Sequence, residues 1–395
     1  MYTTSYARSL DSAPRQSAYN SPMNPRFACA AGSLAALLCG PTVIRSQAQS
    51  NATPRTPPAA SSGPQLATGD AEARAELETG TQLTAHGYLQ QAIPHLLAAQ
   101  AAGIDPYATG VNLGICYLGT GDYAQAIAVL QSMDASGEGG AAVENLLAQA
   151  YIGSAQPQDA LRSFRRAAAA TPKDEKLYAY LADACTDHKD YALGLEIVDE
   201  GLLQLPSSAR LHYEKALFLS QLGRFEEEGR PEFDRAAQLA PSSYIGFLAR
   251  VQKDLYEDNL SAADEVLHQA IQSGHRDYRM LTLLGTVLLH EGAAPGEPRF
   301  AEAKSALEES VEENAGYSAA QIALGKIYLM ENQAQKAVDH LEIGRRLEPD
   351  NPAVYTSLAS AYDQLGEHAR ARLMRLQIGR LLAEKSAGGS AAGQP

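Results

Sequence analysis

The densest collection of chemically capable side chains in this sequence is the run DACTDHKD, where Asp183, Cys185, Asp187, His188 and Asp190 fall within eight residues. Carboxylate, thiolate and imidazole are all metal-ligand types. Their spacing does not suit a site, however. Cys185 falls on the apolar stripe of a helical pattern, whereas His188 falls in the polar turn that follows it. A packed thiol beside a charged turn is the reading these positions favour. No glycine-rich phosphate loop, HExxH, nucleophile elbow or EF-hand loop occurs elsewhere in the chain. The four cysteines, Cys29, Cys39, Cys116 and Cys185, include no CxxC pair, so neither a zinc knuckle nor a redox motif is expected. No residue is assigned a catalytic, cofactor-binding or metal-ligating role, and the expected protein is not an enzyme.

The chain of 395 residues carries a formal net charge of -14. Before Gln49 there are four arginines (Arg8, Arg15, Arg26, Arg45) and one acid (Asp11), which sum to +3, so the remainder carries about -17. That balance disfavours nucleic acid and anionic lipid as partners. Residues 27–44 are apolar and uncharged and are followed by Ser46-Gln47-Ala48, a small-x-small cleavage signal. Residues 1–48 therefore read as a signal peptide, with Met23 a better-placed start than Met1. The weaker alternatives are an uncleaved anchor, or a lipoprotein signal through Cys39, which Leu38 disfavours. Residues 49–72 read as a disordered Pro/Ser/Ala-rich linker that contains the sequon Asn51-Ala52-Thr53, and 386–395 as a disordered tail.

Between these ends the sequence repeats. Small residues recur every 34 positions at Gly80, Gly114, Ala148, Ala182 and Ala216. A second ladder, twelve residues later, runs Ala92, Ala126, Ala160, Gly194 at the same step. Gly325 and Ala359, with Ala303, Ala337 and Ala371, continue both ladders toward the carboxy terminus. Leucines 113, 147, 181, 284, 324 and 358 precede the small residues, and Tyr117, Tyr151, Tyr328 and Tyr362 follow them by three. Gly87, Gly121, Gly223, Gly292 and Gly366 mark a turn within a unit, and Pro172, Pro206, Pro241 and Pro349 mark its end. The pattern is two apolar helices per unit, closely approached through small residues, with a proline that stops the second. A single hairpin cannot bury its own apolar face, so the units must stack on a shared core.

These positions resemble the tetratricopeptide repeat family over about 73–385. The clearest unit is 141–174, with Leu147, Ala148, Tyr151, Ala160, Phe164, Ala167 and Pro172 in phase. The resemblance implies an all-α, right-handed superhelical solenoid of about nine helix-turn-helix units. Three units depart from the pattern. Unit 209–243 has Glu228 where a small residue belongs, one extra residue, and Gly229-Arg230-Pro231 inside its second helix; unit 244–277 has a poorly phased first helix; unit 278–317 carries about six extra residues at its turn.

The resemblance further implies that positions two, five, six, nine and twelve of each unit line a concave groove that binds a protein or peptide, small molecules being unexpected ligands. On that register Asn112, Asn145, Lys176, Tyr180, Arg210, Tyr213 and Arg279 are the candidate contacts. Tyr180 with Tyr213, and Lys176 with Arg210, are expected to form an aromatic and cationic patch. The lysine–asparagine clamp that some members use for chaperone carboxy-termini is not met, because Glu214 stands where a base is needed. A long asparagine ladder is missing too. The expected protein is a non-enzymatic interaction scaffold of exported bacterial type, periplasmic or secreted, with no membrane span once the signal is cleaved. A membrane-tethered assembly factor for secretion, pili or outer-membrane proteins is the first alternative, and a regulatory subunit of an enzyme complex the second. Amino-terminal sequencing of protein from its native host should read from Gln49; an intact Met1 on cytoplasmic protein would rule export out.

Overall fold

A computed structural model describes residues 65–137 and 139–391, with side chains described over 69–137 and 139–383. The expected signal peptide and residues 49–64 of the expected linker lie outside the described residues. Within them the chain forms eighteen α-helices and no strand. They pair as nine units: α1 Gln65–Ala85 with α2 Leu89–Ala101, α3 Pro106–Thr120 with α4 Tyr123–Ala135, α5 Ala141–Gly153 with α6 Pro157–Ala170, and α7 Glu175–Asp187 with α8 Tyr191–Gln204. The series continues with α9 Ala209–Gln221 and α10 Arg230–Leu239, α11 Tyr244–Tyr256 and α12 Leu260–Gln272, α13 Tyr278–His290 and α14 Pro298–Glu313. It ends with α15 Ser318–Met330 and α16 Ala334–Leu347, then α17 Pro352–Gln364 and α18 His368–Ala391. Each helix packs on its sequence neighbours, and first helices also touch the first helices of adjacent units. This is the expected helical solenoid.

Two expected boundaries move. Helix α1 begins at Gln65, inside the segment read as linker, and α18 runs to Ala391, inside the segment read as tail. Both extensions contain alanine and lack an internal proline, so a helix already nucleated by packing propagates into them despite the glycines, which weaken it.

The eighth position of the unit, a small residue in every unit but the sixth, which has Val251, is where the two helices cross. A Cβ on Gly114 would lie 2.7 Å from a Leu130 methyl, and one on Gly325 would lie 2.5 Å from Leu341 Cγ. Where the small residue is alanine the facing side chain changes with it: Ala148 and Phe164 are both fully buried, as are Ala182 and Val198. The expected turn glycines take positive φ, for instance 77° at Gly121 and 94° at Gly292. Units three, four, six and eight put Ala155, Lys189, Asp258 and Asn332 at the same left-handed position, with φ between 56° and 60°. The turn is thus fixed by packing of the two helices, and non-glycine residues are carried there at a cost.

The irregular middle units are ordered. In unit five the extra residue is absorbed as one π turn, Phe225–Gly229, in which Gly229 N donates to Arg224 O at 3.0 Å. The shift takes Glu228 off the crossing and puts Gly229 there. Gly229 lies so near α9 that a Cβ would sit 3.0 Å from Ser220 Oγ, while Glu228 turns outward to pair with Arg224. Helix α11, which looked poorly phased, is regular and buries Phe247, Ala249 and Val251. The extra residues of unit seven form the loop between α13 and α14. The buried apolar side chains fall into three clusters. One spans units one and two with Ala150, one runs from unit two to the start of unit five, and one from unit five to the end. Unit five is shared: Leu211 and Phe218 belong to the second, Tyr213, Phe225 and Phe233 to the third.

Junctions between units repeat one hydrogen bond. Tyr178 Oη donates to Pro172 O at 2.8 Å, Tyr355 Oη to Pro349 O at 2.7 Å and Gln321 Nε2 to Ala315 O at 2.8 Å, each reaching six residues back to the carbonyl that closed the previous unit. His212 Nε2 makes the equivalent contact with Pro206 O at 3.1 Å.

The junction between units eight and nine also holds a buried carboxyl. Glu348 is 3% exposed, accepts from Ser318 Oγ, and accepts from Asn351 Nδ2 at 2.7 Å. Burial pushes it up to about 7; its two hydrogen bonds and the Lys189 ammonium pull it down, and Asp350 adds to the rise. Because the folded value lies above the unfolded one, this group favours folding most below about pH 4.5 and loses that contribution as pH rises through about 7. Glu348→Gln, which mimics the protonated carboxyl, should therefore be more stable than the parent at pH 8, by no more than about 3 kcal/mol. The gap should close by pH 5. Urea denaturation followed by circular dichroism checks this; a variant less stable than the parent at pH 8 would contradict it.

Candidate peptide groove

The first helix of each unit carries the side chains expected to line the groove. In units two and three most of these are packed away. Nine consecutive residues of α3, Thr109 through Tyr117, are buried, and Asn112 is 2% exposed with Nδ2 donating to Ala108 O at 2.8 Å. Asn145 is 7% exposed and accepts from Gln149 Nε2 at 3.0 Å. Both asparagines face their own helix and its neighbours, so they are poorly placed as partner contacts.

Units four and five give a divided result. Lys176 is exposed and Tyr180 half-buried on α7, as the register required. Tyr213 is 8% exposed and packs edge-on against Phe233, ring centres 6.0 Å apart, inside the third core cluster. It belongs to the interface between units and does not join Tyr180 in a patch. The reason is angular: position five lies about 100° around the helix from position six, towards the neighbouring unit, and a ring that large fills the space there. Arg210 is also committed. Its Nη2 is 2.7 Å from Asp183 Oδ1 and its Nε 2.5 Å from Glu214 Oε1. The expected aromatic and cationic patch is therefore a charge network with one tyrosine at its edge.

The DACTDHKD run is taken apart by the fold. Cys185 is fully buried, and desolvation pushes its thiol up. His188 lies in the turn, 3.0 Å through Nε2 from Tyr123 Oη, and burial lowers its pKa. Asp190 caps α8, accepting from Leu193 N at 3.2 Å. Among the described residues no group of three or more histidines, cysteines or carboxylates is placed to hold a metal.

What the structure adds is convergence across units. Burial raises Asp183 on α7 and Glu214 on α9, and in both cases the guanidinium of Arg279, on α13 two units and more away, pulls the value back down alongside Arg210. Asp187 is pushed up to about 6 by burial and by Asp183. First helices of units four, five and seven thus carry charges that act on one another, on the face expected to be the concave wall. Lys326 belongs to the same wall at unit eight. It stands in register with Asp183, Leu217, Gln252 and Thr286, at steps of 34, 35, 34 and 40 that match the length of each intervening unit. Solvent reaches Lys326, yet enough protein surrounds its ammonium to push the pKa down, with no carboxylate opposing that fall. The cation in turn lowers His290, after burial. Lys326 was legible in the sequence only by counting through the insertion of unit seven. The concave wall is also bridged at its rim, where Lys189 Nζ lies 3.0 Å from Asp350 Oδ2, 161 residues away. Both partners are well exposed, so this bridge contributes little on its own.

Residues 145–205 and 296–361 each match a tetratricopeptide repeat family model. The matched segments cover units three and four and parts of units seven to nine, and the same helix pairing continues through the others. The chain carries tetratricopeptide repeats. No curated protein matches it. Among solved structures it is similar to a tetratricopeptide repeat protein from Parabacteroides merdae at 16% identity and a TM-score of 0.47, over 65% of this chain and 98% of that one. It is similar to the APC/C hetero-tetramer Cut9-Hcn1 at 14% identity and a TM-score of 0.48, over 74% of this chain and 56% of that one. YrrB, described as a TPR protein with an unusual peptide-binding site, matches at 16% identity and a TM-score of 0.34, over 51% of this chain and all of that one. No described helix is long and apolar enough to cross a membrane.

Proposed function

We propose that the protein is a non-enzymatic scaffold that binds an extended or helical segment of another protein along its concave wall, at units four to eight. The observation that carries this reading is the polar asymmetry of that wall. At one end stand Tyr180 and the carboxylates Asp183 and Asp187; at the other stands Lys326, exposed and in no ion pair with a described carboxylate. An exposed lysine whose ammonium forms no ion pair with a described carboxylate favours an incoming anion. The segment bound would place an acidic side chain, or its terminal carboxylate, at unit eight and a basic or aromatic one at unit four. Binding outside the cytoplasm, in the periplasm or beyond the cell, is part of the proposal and rests on the 27–44 apolar run and the Ser46-Gln47-Ala48 signal.

Pull-down with the full chain from its native host supplies the partner. Lys326→Glu and Tyr180→Ala should then each weaken its binding by about 1 kcal/mol or more, with helix content unchanged. Arg165→Glu, on an exposed ion pair with Glu196 and Glu200 of the second helices, should leave affinity as it was. Unchanged affinity in both groove variants, with loss in the Arg165 variant, would place the partner elsewhere.

A further inference from the structure

The last helix stands out from the other seventeen by charge and by surface. Its described side chains, 368–383, include Arg370, Arg372, Arg375 and Arg380 and no acid, in a chain of net charge -14. The same stretch leaves large apolar groups in water: Leu373 is 59% exposed, Leu376 60% and Leu382 54%. The helix meets its own unit through Ala371, Met374, Ile378 and Leu381, which are buried or half-buried. The leucines are therefore not part of the solenoid core. Ala369, Leu373, Leu376, Arg380 and Ala383 are all exposed and follow one another at steps of four, three, four and three. That spacing keeps them on one face of the helix, with Leu373 and Leu376 as its exposed apolar centre. Arg370 and Arg372 flank it. Arg370 pairs with Glu367, while Arg372 and Arg380 are exposed.

At the other end of the array α1 presents the complement. Ala71, Ala75, Glu78, Gln82 and Ala85 are exposed at the same four-three-four-three steps. Asp70 and Glu72 lie beside the first of them, also exposed, and α1 carries four acids against Arg74 alone. The complement lies in charge: the arginines of α18 answer the carboxylates of α1, and Leu373 has the small Ala75 opposite it when the two seams run parallel. Two α18 seams brought together would set arginine against arginine, so charge opposes a symmetric pair and favours the unlike pair.

We propose that copies of this protein associate head to tail, the α18 seam of one laid along the α1 seam of the next. Such a contact is heterologous. It leaves a free α1 at one end and a free α18 at the other, so assembly proceeds to a ring or an open chain and does not stop at a dimer. The arginine–carboxylate complement makes association weaken with salt.

Sedimentation velocity on the full chain, over a range of protein concentration and at low and high salt, tests this. The parent should show species beyond the dimer that dissociate in high salt. Arg372→Glu with Arg380→Glu should require about tenfold or more protein for the same association, and so should Asp70→Arg with Glu72→Arg. All four changes in one chain should restore it, because the unlike ends match again. Leu373→Ser with Leu376→Ser, at exposed sites, should also leave monomers with unchanged helix content. A parent that is monomeric throughout would overturn the proposal, including the case in which residues 1–64 cover the α18 seam of their own chain. So would a closed dimer indifferent to the α1 changes, which would mean that two α18 helices pair, or a four-fold variant no more associated than either pair.

Discussion

Everything in this molecule depends on how closely the two helices of a unit can approach at their crossing. The eighth position of the unit sets that distance. Where it is glycine, as at 80, 114, 285 and 325, a leucine of the second helix comes so near that a Cβ would overlap it. Where it is alanine, at 148, 182 and 216, the facing core residue differs in shape: Phe164, Val198 or Phe233. In unit six the position holds Val251, also fully buried, so the crossing is filled by different pairs in different units. A closely packed crossing in every unit is what lets neighbouring units stack on a shared core. In unit nine the residue facing Ala359 in this register is Arg375, which turns out to Asp363, and no further unit follows on that side among the described residues. Four joints are further held by a bond from the fourth residue of the unit, Tyr178, His212, Gln321 or Tyr355, to a carbonyl near the end of the previous one.

Most of this architecture was legible in the residues, because a period of 34 with two small-residue ladders in phase has few other physical causes. What was not legible has specific reasons. Glu228 sat on the ladder, and only a π turn, invisible to a fixed period, explains why Gly229 takes its place. The left-handed turn was read from its glycines, yet Ala155, Lys189, Asp258 and Asn332 hold the same conformation, imposed by the helices they join. The helix ends at Gln65 and Ala391 lie beyond the period, where local composition looked like linker. The candidate groove was legible in register but not in content. Repeat position showed which side chains begin on the inner helices, and could not show that Tyr213 would be taken into the core or that Arg210 would be held by Asp183 and Glu214. Lys326 was hidden by the six-residue insertion upstream of it.

Under the proposed function, this wall would be more selective than a groove lined with free tyrosines and arginines. Asp183 at unit four is raised by burial, with Arg210 beside it and Arg279 also pulling its pKa down, and Lys326 at unit eight is exposed and pairs with no described carboxylate. A segment with charges in the opposite order relieves both ends, and one with charges reversed is penalised at both, which is how burial converts a modest charge pattern into specificity. The same dependence on packing makes the groove only as stable as the stack behind it.

The central claim is that stability passes only between neighbouring units through their crossings. Hydrogen exchange of an Ala148→Leu variant, read unit by unit, tests it most directly. Ala148 is fully buried at the crossing of unit three, and overpacking there should cost about 1–3 kcal/mol. The account predicts faster exchange in α3 to α8, with α13 to α18 protected as in the parent. Equal loss of protection at the two distant ends would contradict it, because the chain would then be folding as one indivisible unit.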